Sequence, residues 1–413
     1  MRADRVGARV SLREPLVRLG RRIDHALGRR LTRLRVLADV RTPMNLAVLR
    51  PVWSVLARDP RVAVSFTAEQ PDAVRAMLEQ DGLAEALIER DAATWVRWDL
   101  VMTADAWNLP ELRRCRRRLQ FFHGVAGKYD LDAPRRIGAA GFGTFDRVAF
   151  INEDRMRRYI HAGVVAQSQA VLVGYPKADD LVNGRWSPSL IRQSLGLSPS
   201  RPTAIYAPTF SVASSLHHAG LEIVRTLLDQ GLNVIVKLHD RSMVPDAHYT
   251  GGIDWPRQLS VFHTRPGFAL AQGADVEPFL AAADILVTDH STVGFEFALL
   301  DRPIVVYDAP DLLHAARIDV DKWASLRAMS HLAHTPSELA AAVAEALANP
   351  GSMAAERRRA RDLFASPGSA THRALAVVYE LLDLAPPHVL VSNDGCPVST
   401  SAPPDQACAQ LRG

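Results

Sequence analysis

The sequence predicts an α/β protein of two halves, each a parallel sheet flanked by helices, facing one another across a cleft. Three observations carry this. Short apolar runs alternate with helical stretches along most of the chain, as βαβ units require. The rhythm breaks over residues 174–202, where Gly174, Pro176, Gly184, Pro188, Pro199 and Pro202 cluster, and then resumes. The length of 413 residues, with 48% hydrophobic and 23% charged content, suits two or three domains with proper cores.

In the first half, Leu34–Val40 reads as a buried strand, 43–58 as a helix, Val62–Phe66 as a strand and Asp72–Glu79 as a helix. Trp98–Thr103, Arg118–Phe122 and Phe145–Ile151 are further short apolar runs; a helix through Ile160 and a strand over Gln169–Val173 follow. In the second half, Thr203–Tyr206, Asn233–Leu238, Leu259–His263, Ile285–Thr288 and Pro303–Tyr307 read as strands. Leu221–Gln230, Val276–Ala282, Gly294–Leu300 and the alanine-rich Pro336–Ala348 read as helices. The expected organisation is therefore a basic helix over 1–33, a first domain over 34–180, a second over 200–385 and a mobile Pro/Ser-rich tail over 386–413.

Composition excludes several classes. No run of 18 apolar residues exists, so no membrane-spanning helix is expected. Cys115, Cys396 and Cys408 show no paired spacing, which argues against a disulfide framework or zinc site and for a cytoplasmic setting. The net charge of +4 is uneven. Residues 1–35 hold eleven arginines against Asp4, Glu14 and Asp24, leaving the remainder at about −4. Leu12, Leu16, Leu19, Ile23, Leu27, Leu31 and Leu34 recur at helical spacing, with most arginines off that stripe. Such a helix can lie on the anionic inner face of a cell membrane, or pack its leucines on its own domain; an organellar transit peptide is a third reading. No nucleic-acid partner is expected.

Ligands of open α/β sheets sit beyond the carboxyl ends of the strands, so residues there are the candidates. The run Ile285–Asp289 ends in His290, Ser291, Thr292, Val293 and Gly294, where a helix opens. Its first backbone N–H groups and the hydroxyls of Ser291 and Thr292 suit a phosphate, and Gly294 would allow close approach. Plain helix capping explains the same residues. Glu296, on an otherwise apolar helix, could accept ribose hydroxyls or sit in solvent. Lys237 and His239 stand where another apolar run gives out, and Thr209 follows a third. Three strand ends with phosphate-suited groups favour a nucleotide-diphosphate site over a set of unrelated turns.

The first half contributes His123, delivered by an apolar run into a glycine-containing loop, with Lys128 five residues on. An imidazole there could act as general base towards a hydroxyl, and Lys128 could neutralise a phosphate; a solvated turn is the plainer reading. The spacing is not that of a phosphate-binding P-loop, and no GxGxxG follows the first strand, so no dinucleotide cofactor is expected.

HGVAGK (123–128), YAPTF (206–210), KLHD (237–240) and TDHSTVGFEFALLDRPIVVYD (288–308) stand in the order of the CDP-glycerol glycerophosphotransferases, the teichoic-acid polymerases and their relatives. The resemblance covers roughly residues 115–375, including GSATHR at 368–373. It implies a GT-B fold of two Rossmann-like domains and transfer of glycerol phosphate, or a related alcohol phosphate, from a CDP-activated donor to a polymer or glycolipid acceptor. Carried over, His123 resembles the base and His239 a donor-phosphate ligand. Ser291 and Thr292 resemble the pair holding the pyrophosphate, and Glu296 the family's acidic residue. No metal or cofactor is implied. His290 stands where the family usually has Tyr, Asp240 where it has Pro, and Glu296 where it has Asp. A GT-B glycosyltransferase on a nucleotide sugar, a sugar-nucleotide 2-epimerase and a catalytically dead envelope scaffold are the competing readings.

Overall fold

A computed structural model describes residues 33–104, 112, 114–122, 124–125, 142–316, 318 and 320–387. The basic arm, His123, Lys128 and residues 388–413 lie outside the described residues.

The first half runs β1 (Leu34–Val40), α1 (Pro43–Leu56), β2 (Val62–Ala68), α2 (Pro71–Gln80), α3 (Arg90–Trp95), β3 (Trp98–Thr103), β4 (Cys115–Phe121), β5 (Arg147–Phe150), α4 (Glu153–His161) and β6 (Ala170–Leu172). A 3₁₀ turn at Pro176–Ala178, α5 (Asp179–Val182) and α6 (Pro188–Ser194) lead on. Then come β7 (Thr203–Tyr206), α7 (Ser215–Asp229), β8 (Asn233–Val236), α8 (Trp255–Leu259), β9 (Phe268–Leu270), α9 (Glu277–Ala282), β10 (Ile285–Thr288), α10 (Val293–Ala298) and β11 (Ile304–Tyr307). The chain ends with α11 (Asp311–Ala315), α12 (Val320–Ala328), β12 (His331–Ala333), α13 (Pro336–Ala348), α14 (Ala354–Arg361) and α15 (Ala370–Leu381).

The strands form two six-stranded sheets, ordered β2-β1-β3-β4-β5-β6 and β12-β11-β10-β7-β8-β9. The strand pairs are parallel. This is the α/β, GT-B-type architecture that the alternation of runs predicts. The strands of the second sheet show why. Every residue of β7, β8, β10 and β11 is buried, as a parallel sheet covered on both faces requires. Chain order reverses between β1 and β3 in one sheet and between β7 and β10 in the other. Those reversals open a crevice at the carboxyl ends of the strands.

Several elements correct the sequence reading. Leu259–His263 is not a strand: α8 and a 3₁₀ turn over Ser260–Phe262 occupy it. Asp254 caps that helix, its side chain accepting from Arg257 N at 3.1 Å, and Leu259 and Phe262 are buried three residues apart, a helical spacing. The strand lies further on, at β9, after Gly267 turns the chain at φ +91°. The expected helix at 221–230 begins earlier, at Ser215, with non-helical backbone at Ala219. β12 and α12 have no counterpart in the sequence reading.

The last helix returns to the first half. Asp179 takes the backbone N–H groups of Gly368, Ala370 and Thr371 at 2.9, 3.2 and 2.6 Å, capping α15 at its start. Further along, Tyr379 Oη donates to Asp59 at 2.8 Å and Arg147 meets Glu380 at 2.7 Å. Arg61 holds the Asp59 carboxyl down at about 2.

At the carboxyl end of the first sheet, Thr67, Asp39, Thr103 and Gln120 stand side by side on four neighbouring strands, and all are buried. Arg90 reaches Asp39 Oδ1 at 2.9 Å, while Asp39 Oδ2, Thr67 Oγ1 and Gln120 Oε1 have no hydrogen-bond partner among the described residues. Burial pushes the Asp39 carboxyl up to about 6, outweighing Arg90. The folded pKa exceeds the ordinary 3.8, so the contribution to stability is present below that value and is lost as pH rises through 6. Asp39→Asn removes the ionisation. Relative to the parent, it is expected to gain about 3 kcal/mol between pH 4 and pH 8 in urea unfolding. A difference that stays flat over that range would show that Asp39 titrates normally.

Candidate functional site

The candidates of the second half follow the carboxyl ends of β7, β8 and β10, three neighbouring strands of the second sheet. Asp289, directly after β10, is fully buried and acts as a tie rather than as a free cap. Its Oδ1 accepts from Thr209 N and Thr209 Oγ1 at 2.9 and 2.6 Å. Its Oδ2 accepts from Ser215 N and Ser215 Oγ at 3.1 and 3.0 Å. One carboxylate thus fixes the loop after β7, the start of α7 and the turn into α10. The Thr209 hydroxyl proton is committed to Asp289, so Thr209 would meet a phosphate only through other atoms.

Ser291 and Thr292 lie half-buried at the entry to α10. Lys322 Nζ, from α12, approaches Thr292 Oγ1 at 3.2 Å and adds a positive charge. Gly294 has a packing reason for its size: a Cβ there would stand 2.4 Å from Leu326 Cδ1. The absence of a side chain lets α12 seat against α10.

His290 does not face a ligand cleft. It is buried, accepts from Trp323 Nε1 at 3.0 Å and lies 3.2 Å from Asp308 Oδ1. Burial holds its pKa below the ordinary value despite Asp289 and Asp308.

His239 follows β8. Its Nδ1 accepts from Arg241 N at 3.2 Å, and its ring lies 4.2 Å from that of Phe210, which directly follows Thr209. With Nδ1 accepting, the neutral imidazole carries its proton on Nε2 and is a donor there. Arg241 stacks over Tyr249 at 4.4 Å and Phe210 at 5.0 Å, which braces the loop. Lys237 is buried, and its Nζ donates to Leu238 O at 2.9 Å. Burial lowers its pKa, partly offset by Asp240 and Asp275.

Glu296 is not in solvent. It is buried, and its Oε2 meets Lys177 Nζ at 3.0 Å. Lys177 belongs to the 3₁₀ turn that follows β6 and is the main residue that sequence reasoning missed; it lies in the stretch where the strand–helix rhythm breaks, within the first domain. A lysine in Tyr175-Pro176-Lys177, a few residues past a predicted strand, was the signal available. Among the described residues no cluster of His, Cys, Asp and Glu could hold a metal ion.

In the first half, residues flanking His123 are held from α4. Arg155 donates to Gly124 O at 3.2 Å and lies 4.1 Å over the Phe122 ring; Asn152 reaches Val125 O at 3.4 Å.

Residues 149–379, more than half of the chain, match the family model of CDP-glycerol:poly(glycerophosphate) glycerophosphotransferases. The chain belongs to that family. Its sequence is 25% identical over 170 residues to a teichoic acid glycerol-phosphate primase of Bacillus spizizenii, covering 40% of this chain and 41% of the primase. The chain therefore matches under half of that relative's length. In structure, the family's wall teichoic acid polymerase TagF superposes with a TM-score of 0.64 at 15% identity, over 89% of this chain and 92% of TagF. MnaA of S. aureus, solved with UDP, gives 0.55 at 12% identity over 85% and 98%. A UDP-N-acetylglucosamine 2-epimerase from Listeria monocytogenes gives 0.57 at 12% over 86% and 99%. At these identities the likenesses speak for a shared GT-B-like fold and not for a shared reaction. Membership of the family, by contrast, separates this chain from the epimerases.

Proposed function

We propose that the protein transfers glycerol phosphate, or a related alcohol phosphate, from a CDP-activated donor to a hydroxyl of a cell-envelope glycan or polymer acceptor. The observation that supports this is that Thr209, Lys237, His239, Ser291 and Thr292 follow the carboxyl ends of β7, β8 and β10 of one sheet, with Asp289 tying the β7 loop to the turn into α10, in a member of the glycerophosphotransferase family. The acceptor oxygen attacks the donor phosphorus that bears the alcohol. The bond to the bridging oxygen breaks, CMP leaves, and the acceptor proton passes to His123. His239 through Nε2–H, Lys237 and the Ser291–Thr292 turn offset the charge on the leaving phosphates. Glu296 takes the ribose hydroxyls, and Lys128 serves the acceptor or a phosphate. The second domain, 200–385, is the donor side and the first, 34–180, the acceptor side.

A nucleotide screen by thermal shift tests the donor. A ligand of the folded state stabilises it more, at equal concentration, the tighter it binds, so CDP should raise the melting temperature more than UDP or GDP. A larger shift with UDP would favour a nucleotide-sugar donor instead.

No described helix is long and apolar enough to cross a membrane. The leucine stripe and arginines of residues 1–35 support peripheral contact with an anionic inner leaflet. Removing residues 1–33 is expected to abolish co-sedimentation with phosphatidylglycerol vesicles and to leave CDP binding unchanged. Equal sedimentation with and without the arm would refute that contact.

A further inference from the structure

The ion pair between Lys177 and Glu296 links the turn after β6 to α10. Both residues are 6% exposed. Burial opposes the charge on Lys177, yet Glu296, with Tyr175, Glu277 and Asp275, holds its pKa well above the ordinary value. Glu277, at the start of α9, is 3% exposed, and its Oε1 has no hydrogen-bond partner among the described residues. The buried lysines Lys177 and Lys237 both feel the charge of the half-buried Asp275, Lys177 also that of Glu296 and Glu277, and Lys237 that of the half-buried Asp240.

A buried ion pair contributes little net stability, because desolvation offsets the attraction. Its usual return is a fixed geometry. Here that geometry is imposed on Glu296, the carboxylate read as the ribose acceptor, by a lysine from the opposite half of the molecule. One Glu296 oxygen is held by Lys177 and the other is set by the same rotamer.

We propose that Lys177 is a positioning residue of the donor site: it orients the Glu296 carboxylate towards the donor's ribose hydroxyls, so that the ribose subsite is completed by both halves. This rests on the reading of the ligand as a nucleoside-diphosphate-activated alcohol. It explains why a lysine is buried at the junction and why Glu296 is inward-facing.

The test is ribose discrimination, measured as the ratio of dissociation constants for 2′,3′-dideoxy-CDP and CDP by titration calorimetry. The parent protein should prefer CDP by about tenfold or more, the scale of hydroxyls bonded to a carboxylate. Lys177→Arg should keep most of that preference. Lys177→Met should bring the ratio close to one. A lysine that merely held the halves together would weaken both ligands alike, and an unchanged ratio in Lys177→Met overturns the proposal. Because Lys177→Met strands a buried carboxylate, a second comparison uses Glu296→Gln as background. There, adding Lys177→Met removes nothing further, so CDP affinity should change by less than about twofold; a further loss of about tenfold would mean that Lys177 acts by another route. If the parent binds UDP in preference to CDP, the choice of base fails, and the same ratios are read with UDP and its dideoxy analogue.

Discussion

Asp289→Ala is expected to destabilise the protein by about 3–5 kcal/mol, the range for removing one partner of a buried charged network. The reason is the number of groups left behind. Two backbone N–H groups and two hydroxyls, from Thr209 and Ser215, turn to this one carboxylate, and each buried donor left unmet costs about 1–3 kcal/mol before relaxation. Asp289→Asn keeps one acceptor oxygen but sets an amide against the donors of Thr209 or Ser215, so an intermediate loss is expected. The damage should also reach the ligand, because the β7 loop and the α10 turn lose their common anchor. Chemical unfolding followed by far-UV circular dichroism, with and without CDP, measures both. An Asp289→Ala variant within about 1 kcal/mol of the parent would show that the tie is dispensable.

The second large effect concerns the two histidines, which the proposed reaction gives different tasks. His239 presents Nε2–H because its Nδ1 accepts from Arg241 N, so it suits charge stabilisation and not proton abstraction. His239→Ala should lower kcat/KM by about 10²–10³, the loss seen when one preorganised donor is removed. The acid limb of the pH profile should survive in that variant, since the base is intact. His123→Ala should lower kcat/KM by about 10²–10⁴ and erase the limb. The assignment is reversed if the limb vanishes with His239→Ala and persists with His123→Ala.

The strands at 34–40, 98–103, 203–206 and 285–288 and the helix at 336–348 are legible in the sequence to the residue. The strands are short, mainly apolar runs that end sharply at polar residues or prolines, and the helix begins with Thr335 as cap and Pro336 at its first position. The order of motifs likewise leads to the family. What the sequence could not carry is pairing over long separations. Asp289 finds Thr209 and Ser215 from 80 and 74 residues away, and Glu296 finds Lys177 from 119. Periodicity and capping rules reach only a few residues along the chain, so they name neither the partners of Asp289 nor that of Glu296, which the sequence leaves between ribose hydroxyls and solvent. The close neighbour of Gly294 is hidden for a related reason: Leu326 belongs to a helix absent from the sequence reading. The run at 259–263 fails because five apolar-rich residues fit a strand and a helical turn equally well.

The central claim is that CDP-activated alcohol phosphate is the donor. The direct measurement is incubation of the full chain with CDP-glycerol labelled in the glycerol, together with a hydroxyl-bearing envelope acceptor, following both nucleotide and label. The account predicts CMP released in step with label gained by the acceptor, and neither product from His123→Ala. Release of UDP or GDP from a nucleotide sugar, with CDP-glycerol left intact, would contradict it.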